Sequence, residues 1–347
     1  MPVVYHDSDA DLAAVHGQTV AILGYGNQGG AQARNLRDSG LDVIVGNIED
    51  AYREQALAAG FEVFPIAEAS ARADVLFLLT PDEIMPDVYE KDVAPHLQPG
   101  NLLNFAHGYN IAFGLIQPPP SVDVTFIAPR MIGAGVRDTY LSGEGFASFV
   151  GVHQDATGKA KQRMLALARA VGSTRAGCLE MTMNDEATLD LFTEQAFGPA
   201  FGRVLTTAVE TLVGAGFPPE AVLMELYLSG EMAYSFLKTR EVGTLKQSEL
   251  HSHTSQYGTL TRSQRYAELV PKLREKMLGS LEEIRSGAFA KEWSEGRGEK
   301  LRLLEKSRVV RATHPMTKWE EATRKAFRLG DAAGDAAQRD SEPASGE

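Results

Sequence analysis

The chain has little of what would place it in a membrane or an oxidising compartment. Its single cysteine, Cys178, rules out an internal disulfide. No apolar run approaches the roughly 20 residues that a membrane-spanning helix needs. The N-terminal residues are acidic and polar, unlike a signal peptide. We therefore expect a cytoplasmic protein with no membrane partner.

Positive charge is also scarce, because 46 acidic residues face 34 basic ones and the net charge is −12. Nucleic-acid-binding proteins need a basic face, so a nucleic-acid partner is not expected. An anionic ligand must instead be held by a helix N-terminus, a few basic side chains or a metal. With 347 residues, of ordinary hydrophobic and charged content, two domains are the natural expectation.

The character of the chain changes near residue 180. Before it, short apolar strands alternate with short helices; most strands are apolar at consecutive positions, which indicates a buried parallel sheet. After it, the 3.6-residue apolar spacing predicts long helices. We predict an α/β Rossmann-like domain at 1–180, an all-α domain at 181–328 and a disordered tail at 329–347. The predicted strands are 19–23, 42–45, 74–79, 101–105, 123–128 and 146–152, and the predicted long helices are 184–214, 219–242 and 262–290.

A glycine motif joins the first strand to the first helix, in the context that a dinucleotide site requires. The residues after the strand are Gly24, Tyr25, Gly26, Asn27, Gln28 and Gly29. Gly24 permits a tight turn, Gly26 lets the backbone approach a pyrophosphate, and Gly29 lets the helix pack closely. We interpret these six residues as the binding site of a nicotinamide cofactor; a glycine-rich turn of another α/β protein is the alternative.

Asp190 and Glu194 lie four residues apart on a predicted helix, so both carboxylates project from one face. Two oxygen ligands on adjacent turns suit Mg²⁺. A solvated acidic face is the alternative, but the apolar flanks and the nearby domain junction favour a metal. Two further acids, Glu225 and Glu231, follow on the next predicted helix.

Two polar residues follow predicted strands, at the edge of a parallel sheet where ligands lie. His107 stands after the strand ending at Phe105, where it could act as an acid or base or have only a structural role. Arg130 closes the next strand and could hold a carboxylate in a bidentate fork or stabilise developing negative charge.

Taken together, these motifs resemble the ketol-acid reductoisomerases, the acetohydroxyacid isomeroreductases of branched-chain amino-acid synthesis. The resemblance runs from about Tyr5 to about Arg328, in the family's order and spacing, and the short length resembles the class with one helical C-terminal unit per chain. The residues that carry it are Gly24-Tyr-Gly-Asn-Gln-Gly29, Phe105-Ala-His-Gly-Tyr-Asn110, Val152-His-Gln-Asp-Ala156, Asp190-Leu-Phe-Thr-Glu-Gln195, Ser252-His-Thr-Ser-Gln-Tyr-Gly258 and Glu282-Glu-Ile-Arg-Ser-Gly-Ala-Phe-Ala-Lys-Glu-Trp293.

The resemblance implies a two-step reaction on an acetohydroxy acid of the 2-acetolactate type. Two Mg²⁺ ions chelate the substrate, an alkyl group migrates, and hydride from NAD(P)H gives a 2,3-dihydroxy acid. Asp190 and Glu194 match the metal-binding carboxylates, and Glu194 also counts, with His107 and Arg130, among the implied catalytic residues. His107 and Gly133 are implied to border the cofactor. Ser252 matches a serine that binds the substrate carboxylate across a subunit interface, so a homodimer or higher homo-oligomer is implied.

Three departures from the family pattern bear on the activity. Arg130-Met-Ile-Gly133 stands where the family has a lysine followed by Gly-Pro-Gly-His, and arginine is not equivalent to lysine. Two residues are inserted near Glu225 and Glu231, so either glutamate could be displaced from the metal, or a π-bulge could bring both inward.

The third departure is in the loop after the second strand. This loop contains Asn47, Glu49, Asp50 and Arg53 and lacks the early basic and serine residues expected to grip a 2′-phosphate. An acid here favours NADH, while Arg53 keeps NADPH open. The departures also leave open a divergent member that reduces another 2-keto acid or imine without alkyl migration, or a cofactor-binding protein without turnover.

Overall fold

A computed structural model describes residues 2–330 of the chain, so the predicted tail at 329–347 lies almost wholly outside the described residues. The chain divides into two compact units. The first comprises Met1–Leu191 together with Gly287–Ser294, and the second comprises the remainder. No helix within residues 2–330 is both long and apolar enough to cross a membrane.

The first unit is built on one nine-stranded sheet. From one edge to the other the strands follow the order β1-β9-β8-β7-β6-β5-β2-β3-β4. The six strands from β7 to β4 in this order are parallel, whereas β8 is antiparallel to β7 and β1 is antiparallel to β9. The strands are β1 (Val4–Tyr5), β2 (Thr19–Leu23), β3 (Asp42–Gly46), β4 (Glu62–Phe64), β5 (Val75–Leu78), β6 (Leu102–Phe105), β7 (Asp123–Pro129), β8 (Ser148–Gln154) and β9 (Cys178–Glu180).

All six predicted strands form. Every residue of β5 and β6 is buried, as their consecutive apolar residues predict for strands covered on both faces. The sheet is not wholly parallel, since β8, the strand predicted at 146–152, pairs antiparallel with β7. An apolar run reports burial but not direction. The short strands β1, β4 and β9 have two or three residues each, too few to show a periodicity.

Helices cover both faces of the sheet, and two hydrophobic cores form between them and the strands. The chain order places β2, β3 and β4 on one side and brings β5 back to the other side of β2. Ligands of open α/β sheets lie outside the carboxyl ends of the strands at such a switch point. The helices here are α1 (Asn27–Asp38), α2 (Ala51–Ala58), α3 (Ile66–Arg72), α4 (Met85–Val88), α5 (Tyr109–Ala112), α6 (Gly133–Ser142), α7 (Ala160–Val171) and α8 (Met183–Phe192).

The second unit is helical. Its buried cluster includes Val209, Val222 and Leu223, with Trp319 packed against them. Of the remaining helices, α15 belongs to the first unit and the others to the second. They are α9 (Gly198–Gly214), α10 (Pro219–Leu223), α11 (Glu231–Val242), α12 (Thr244–Gln247), α13 (His253–Arg262), α14 (Val270–Arg285), α15 (Ala288–Ser294), α16 (Arg297–Ala312) and α17 (Pro315–Ala326).

The uninterrupted helix expected over 219–242 is wrong. A π-helical turn, Met224–Leu228, follows α10, and Gly230 then takes a left-handed conformation with φ of 87° before α11 begins. Glycine adopts this conformation without the steric penalty of a side chain. The sequence change suspected near Glu225 and Glu231 is therefore accommodated by a π turn and a break in the helix.

Gly29→Ala tests the close packing of α1 on the turn after β2. An added Cβ would lie 1.9 Å from the carbonyl oxygen of Gly24, so the turn would have to shift. We expect urea unfolding to give a free energy of unfolding lower by about 2 kcal/mol, as overpacking does.

Gly26→Ala is the matched control, since a Cβ there meets nothing within 4 Å. It should lose less than about 1 kcal/mol, because only the preference for glycine over alanine at the helix N-cap is affected. Equal destabilisation by the two substitutions would contradict the packing role of Gly29.

Candidate active site

The turn between β2 and α1 has the geometry that an approaching phosphate requires. Gly24 has a φ of 99°, and a Cβ there would lie 2.9 Å from the carbonyl oxygen of Leu79. Gly26 precedes the first residue of α1, and the space where its Cβ would lie is open. The N-terminal N–H groups and the dipole of this twelve-residue helix therefore face an accessible turn.

The loop after β3 is hydrogen-bonded to the glycine turn through Asn47. The side-chain oxygen of this buried residue accepts from the Tyr25 N–H at 2.9 Å, and its Nδ2 donates to Asp50 at 2.8 Å. The Asp50 atom in this contact is Oδ1, which also accepts from the Arg53 N–H at 3.0 Å and so caps the N-terminus of α2. Glu49 is exposed beside it. The carboxylate of Asp50 is thus held in a fixed position near the end of β3.

A cavity of about 320 Å³ opens between this turn and its neighbouring helices. Its walls include Gly26, Arg34, Tyr52 and Gly133. Gly133 begins α6 and approaches the turn so closely that a Cβ would lie 2.0 Å from the carbonyl oxygen of Asn27. The Gln28 side chain fixes the same approach by donating to the carbonyl oxygen of Met131 at 2.9 Å. Four of the residues predicted to hold the cofactor, Tyr25, Gly26, Asn27 and Gly133, therefore line one opening.

A second group of polar residues lies near the carboxyl ends of β5, β6 and β7 and on α8. We call it the polar cluster; it consists of Asp82, His107, Arg130, Glu186 and Asp190. Asp82 follows β5, His107 follows β6 and Arg130 follows β7, while the two other acids are one turn apart on α8. The start of α8 packs tightly on the β6 loop, because a Cβ on Gly108 would lie 2.5 Å from the Met183 carbonyl oxygen.

Arg130 binds two different carboxylates of this cluster. Its Nη1 lies 2.8 Å from Asp190 Oδ1, and its Nη2 lies 2.8 Å from Glu186 Oε1. The other oxygen of Glu186 accepts from the Gly108 N–H at 2.7 Å. The guanidinium carbon lies 4.8 Å from the centroid of the Phe149 ring, which adds a cation–π contact. The fork that the sequence offered for a carboxylate ligand is therefore occupied by the chain's own acids.

Burial raises the pKa of Glu186. The charge of His107, the hydrogen bond from the Gly108 N–H and the charge of Arg130 act in the opposite direction, because they stabilise the ionised carboxylate. Glu186 is fully buried, whereas the Asp190 side chain is 30% exposed. Asp190 is therefore the acid of this pair that solvent can reach.

His107 connects the two sides of the polar cluster. Its Nδ1 lies 3.1 Å from Asp82 Oδ2, and its Nε2 lies 3.5 Å from Asp190 Oδ2 and 4.0 Å from Glu186 Oε2. Burial alone would lower the pKa of His107, but the hydrogen bond and charge of Asp82, with the charges of Glu186 and Asp190, raise it to about 9. Within residues 2–330, the buried Nε2 atom has no hydrogen-bond partner.

The cluster offers donors for a divalent cation. One ligand atom each from His107, Glu186 and Asp190 lie within 4.8 Å of one another, and carboxylate oxygens suit Mg²⁺. Asp190 Oδ2 is the carboxylate oxygen of this set that Arg130 and Gly108 leave open, and it lies 3.5 Å from His107 Nε2. The donor set thus fits a hard cation through Asp190, while Arg130 already neutralises part of the acidic charge.

Comparisons with known proteins bear on both units. A family model described as the NADPH-binding domain of acetohydroxy acid isomeroreductase matches residues 14–177, and one described as the C-terminal domain of ketol-acid reductoisomerase matches residues 183–328. The chain belongs to the ketol-acid reductoisomerase family.

Individual relatives agree along nearly the whole chain. The chain is 42% identical to the ketol-acid reductoisomerase (NADP(+)) of Methanopyrus kandleri, over 95% of this chain and all of the relative. It is 41% identical to the enzyme of the same name from Pyrobaculum arsenaticum, over 84% of this chain and 89% of the relative. An NADH-preferring ketol-acid reductoisomerase from an uncultured archaeon has a similar structure, with a TM-score of 0.88 and 35% sequence identity. The match covers 93% of this chain and 98% of that one.

The family resemblance read from the motifs is thereby confirmed, and so are the Rossmann-like fold followed by an all-α region and the NAD(P)H-dependent oxidoreductase class. The domain limits at 180 and 328 stay a prediction. So do the roles given to single residues, because family membership does not assign them in a chain that departs from the family pattern at Arg130.

The remaining predicted site residues lie in the second unit. Glu194 is on the π-helical turn Thr193–Phe197, and Glu225 is on the π-helical turn Met224–Leu228. Glu231 is the first residue of α11. Ser252 is the N-cap of α13, where its side chain accepts from the Ser255 N–H at 3.3 Å. The roles of these four residues in binding metal or substrate stay predictions for this chain.

Sequence reasoning missed two members of the polar cluster, Asp82 and Glu186. A signal for Glu186 was present, since 186, 190 and 194 continue one spacing of four residues along a helix. Asp82 follows β5 just as His107 follows β6, so the same rule about strand ends applied to it. What the sequence could not give is that Arg130 would be bound by the acids of α8.

Glu186→Gln tests the role of this buried acid in holding the cluster together. An amide has only one accepting oxygen, so either Arg130 or the Gly108 N–H would face an N–H donor. We expect denaturant unfolding to show a loss of about 2 kcal/mol, typical of a hydrogen bond to a charged group. Asp185→Asn, at the exposed neighbouring position, should stay within about 0.5 kcal/mol of wild type. Similar losses in both variants would contradict this role.

Proposed function

We propose that the chain is a Mg²⁺- and NAD(P)H-dependent reductoisomerase of acetohydroxy acids of the 2-acetolactate type. Its products would be the 2,3-dihydroxy acids of valine and isoleucine biosynthesis. The observation that carries the proposal is that the glycine turn of α1 and the polar cluster both follow the carboxyl ends of strands in one sheet. Their combination in a chain that matches the family over both units supports hydride transfer beside an acidic, cation-binding site.

The proposed reaction has two balanced steps. First, the alkyl group moves with its electron pair from C2 to C3, the C2 hydroxyl loses its proton to become a ketone, and the C3 carbonyl oxygen gains a proton. Second, the new ketone carbon accepts hydride from the reduced nicotinamide, and its oxygen accepts a proton. Both steps need proton carriers and positive charge near the reacting oxygens.

The polar cluster supplies groups of these two kinds. When bound, Mg²⁺ would act as a Lewis acid on the substrate oxygens, with Asp190 and Glu194 proposed to hold it. His107, with its pKa raised to about 9, holds a proton at neutral pH, and Asp82 orients its ring through Nδ1. We infer that His107 and Arg130 keep positive charge beside the reacting atoms.

For the cofactor we infer a slight preference for NADH over NADPH. Asp50 is fixed by Asn47 and the Arg53 N–H near the end of β3, where an acid commonly binds the free ribose hydroxyls. The exposed Glu49 would add further repulsion against a 2′-phosphate. The guanidinium of Arg53 is the group in this loop that could bind the 2′-phosphate of NADPH.

We further propose that the site is completed by a second copy, in a homodimer or a higher homo-oligomer. Glu225, Glu231 and Ser252 are all exposed in the single chain. The second unit also exposes large apolar side chains, among them Leu245, which is 88% exposed. Apolar exposure of this extent is typical of an interface. The expected cytoplasmic location stays a prediction from composition.

A reductase of another 2-keto acid or imine, without alkyl migration, is the second candidate. The observation that favours it is the double carboxylate contact of Arg130, at the position where the family has lysine. A guanidinium bound to both acids leaves fewer oxygen atoms for the cations that would polarise a substrate during migration. The two candidates share hydride transfer and differ in the first step only.

The test is oxidation of NADH and of NADPH, followed by the absorbance of the reduced nicotinamide. Each is mixed with Mg²⁺ and either 2-acetolactate or 3-hydroxy-3-methyl-2-ketobutyrate. We expect turnover of both compounds, with a higher kcat/KM for NADH than for NADPH. Because the reaction requires Mg²⁺, EDTA should abolish this turnover. Turnover of the second compound alone would support the reductase, because it needs no migration. Lack of turnover with both compounds would contradict the reductoisomerase and would restrict the second candidate to other keto or imino acids.

A further inference from the structure

The contacts of Arg130 have a consequence for metal binding. A divalent cation bound by Asp190 would take carboxylate oxygens, and one of these already accepts from Arg130 Nη1 at 2.8 Å. Both oxygens of Glu186 accept hydrogen bonds as well, one from Arg130 and the other from the Gly108 N–H. The positive charge that these acids need is thus supplied by the chain itself.

The two halves of the guanidinium fork differ in accessibility. Glu186 is completely buried, whereas the side chains of Arg130 and Asp190 are 25% and 30% exposed. Breaking the Glu186 contact would take from a buried carboxylate the counter-charge that is hydrogen-bonded to it, which is costly. Breaking the Asp190 contact would return a partly exposed carboxylate to water. A cation that enters the cluster therefore meets the weaker half of the fork first.

We propose that Arg130 is an internal competitor of divalent metal. Its Nη1 binds Oδ1 of Asp190 and holds a positive charge beside the open Oδ2, so that a metal binds at Asp190 by displacing Nη1 from that carboxylate. The Nη2 contact to Glu186 stays in place and keeps the guanidinium in the cluster. Arg130 thereby sets a lower metal affinity than a lysine would at the same position. A lysine ammonium also has three N–H donors, but they are not held in the planar fork that fixes both carboxylates here.

This inference rests on the metal-dependent function proposed above, but its test needs no turnover. Mn²⁺ is titrated into the whole protein without substrate or cofactor, and free Mn²⁺ is counted by electron paramagnetic resonance. We expect Arg130→Lys to bind the ion at least about tenfold more tightly, the size of one charged hydrogen bond in an equilibrium constant. Arg137→Lys is the matched control, because its ion pair with Asp38 at 2.6 Å lies outside the polar cluster.

A second variant keeps the proposal testable if lysine disturbs the cluster. In Arg130→Ala, thermal unfolding is measured first to establish that the protein is folded. Methylguanidinium added in millimolar amounts should then weaken Mn²⁺ binding competitively, by at least about threefold, and should leave Mn²⁺ binding to the wild type unchanged. Methylguanidinium takes the place of the missing guanidinium in Arg130→Ala, whereas in the wild type the Arg130 guanidinium already occupies that place.

Three results would overturn the proposal. These are equal Mn²⁺ affinity of the wild type and Arg130→Lys, the same gain in Arg137→Lys, and no competition by methylguanidinium in Arg130→Ala. Failure of the proposed reaction is separate, because it would be seen as absent turnover with 2-acetolactate while the Mn²⁺ titrations still separated the variants.

Discussion

The buried charge of Glu186 is the constraint on which the rest of the active site depends. A fully buried carboxylate is tolerated only when it is paired and hydrogen-bonded. Here the Gly108 N–H and Arg130 meet that need, and in doing so they fasten α8 to the loops after β6 and β7. The positions of His107 and Asp190 follow from this fastening, since one lies beside Gly108 and the other lies one helical turn beyond Glu186.

The fold supplies the other half of the chemistry. Parallel strands bring their carboxyl ends to one edge of the sheet, so residues far apart in the sequence become neighbours there. The glycine turn after β2 leaves an open approach to the N-terminus of α1, and Asn47 fixes the acidic loop after β3 to that turn. The described residues thus place an open helix N-terminus and an acidic cluster near the carboxyl ends of strands of one sheet, which is the arrangement on which the proposed function rests.

The sequence predicted most of this arrangement where the pattern itself has a physical cause. Consecutive apolar residues predicted the buried strands, and the glycine motif predicted the turn because a side chain would be strained at Gly24 and would clash at Gly29. The direction of a strand and the binding partners of a side chain were harder to predict. The residues of β8 do not reveal that it runs antiparallel to β7, and the residues around Arg130 do not reveal that two acids some 60 residues later will bind it. The sequence raised a π-bulge near Glu225 and Glu231 as one alternative, but it did not place the helix break at Gly230.

A crystal structure of the protein with Mn²⁺ would show whether Arg130 and a divalent cation compete for Asp190. Anomalous diffraction identifies the ion without reference to its ligands. The account predicts anomalous density at Asp190, with Nη1 of Arg130 moved out of hydrogen-bonding distance and Nη2 still bound to Glu186. Mn²⁺ bound to Asp190 beside an intact Arg130 fork would contradict it.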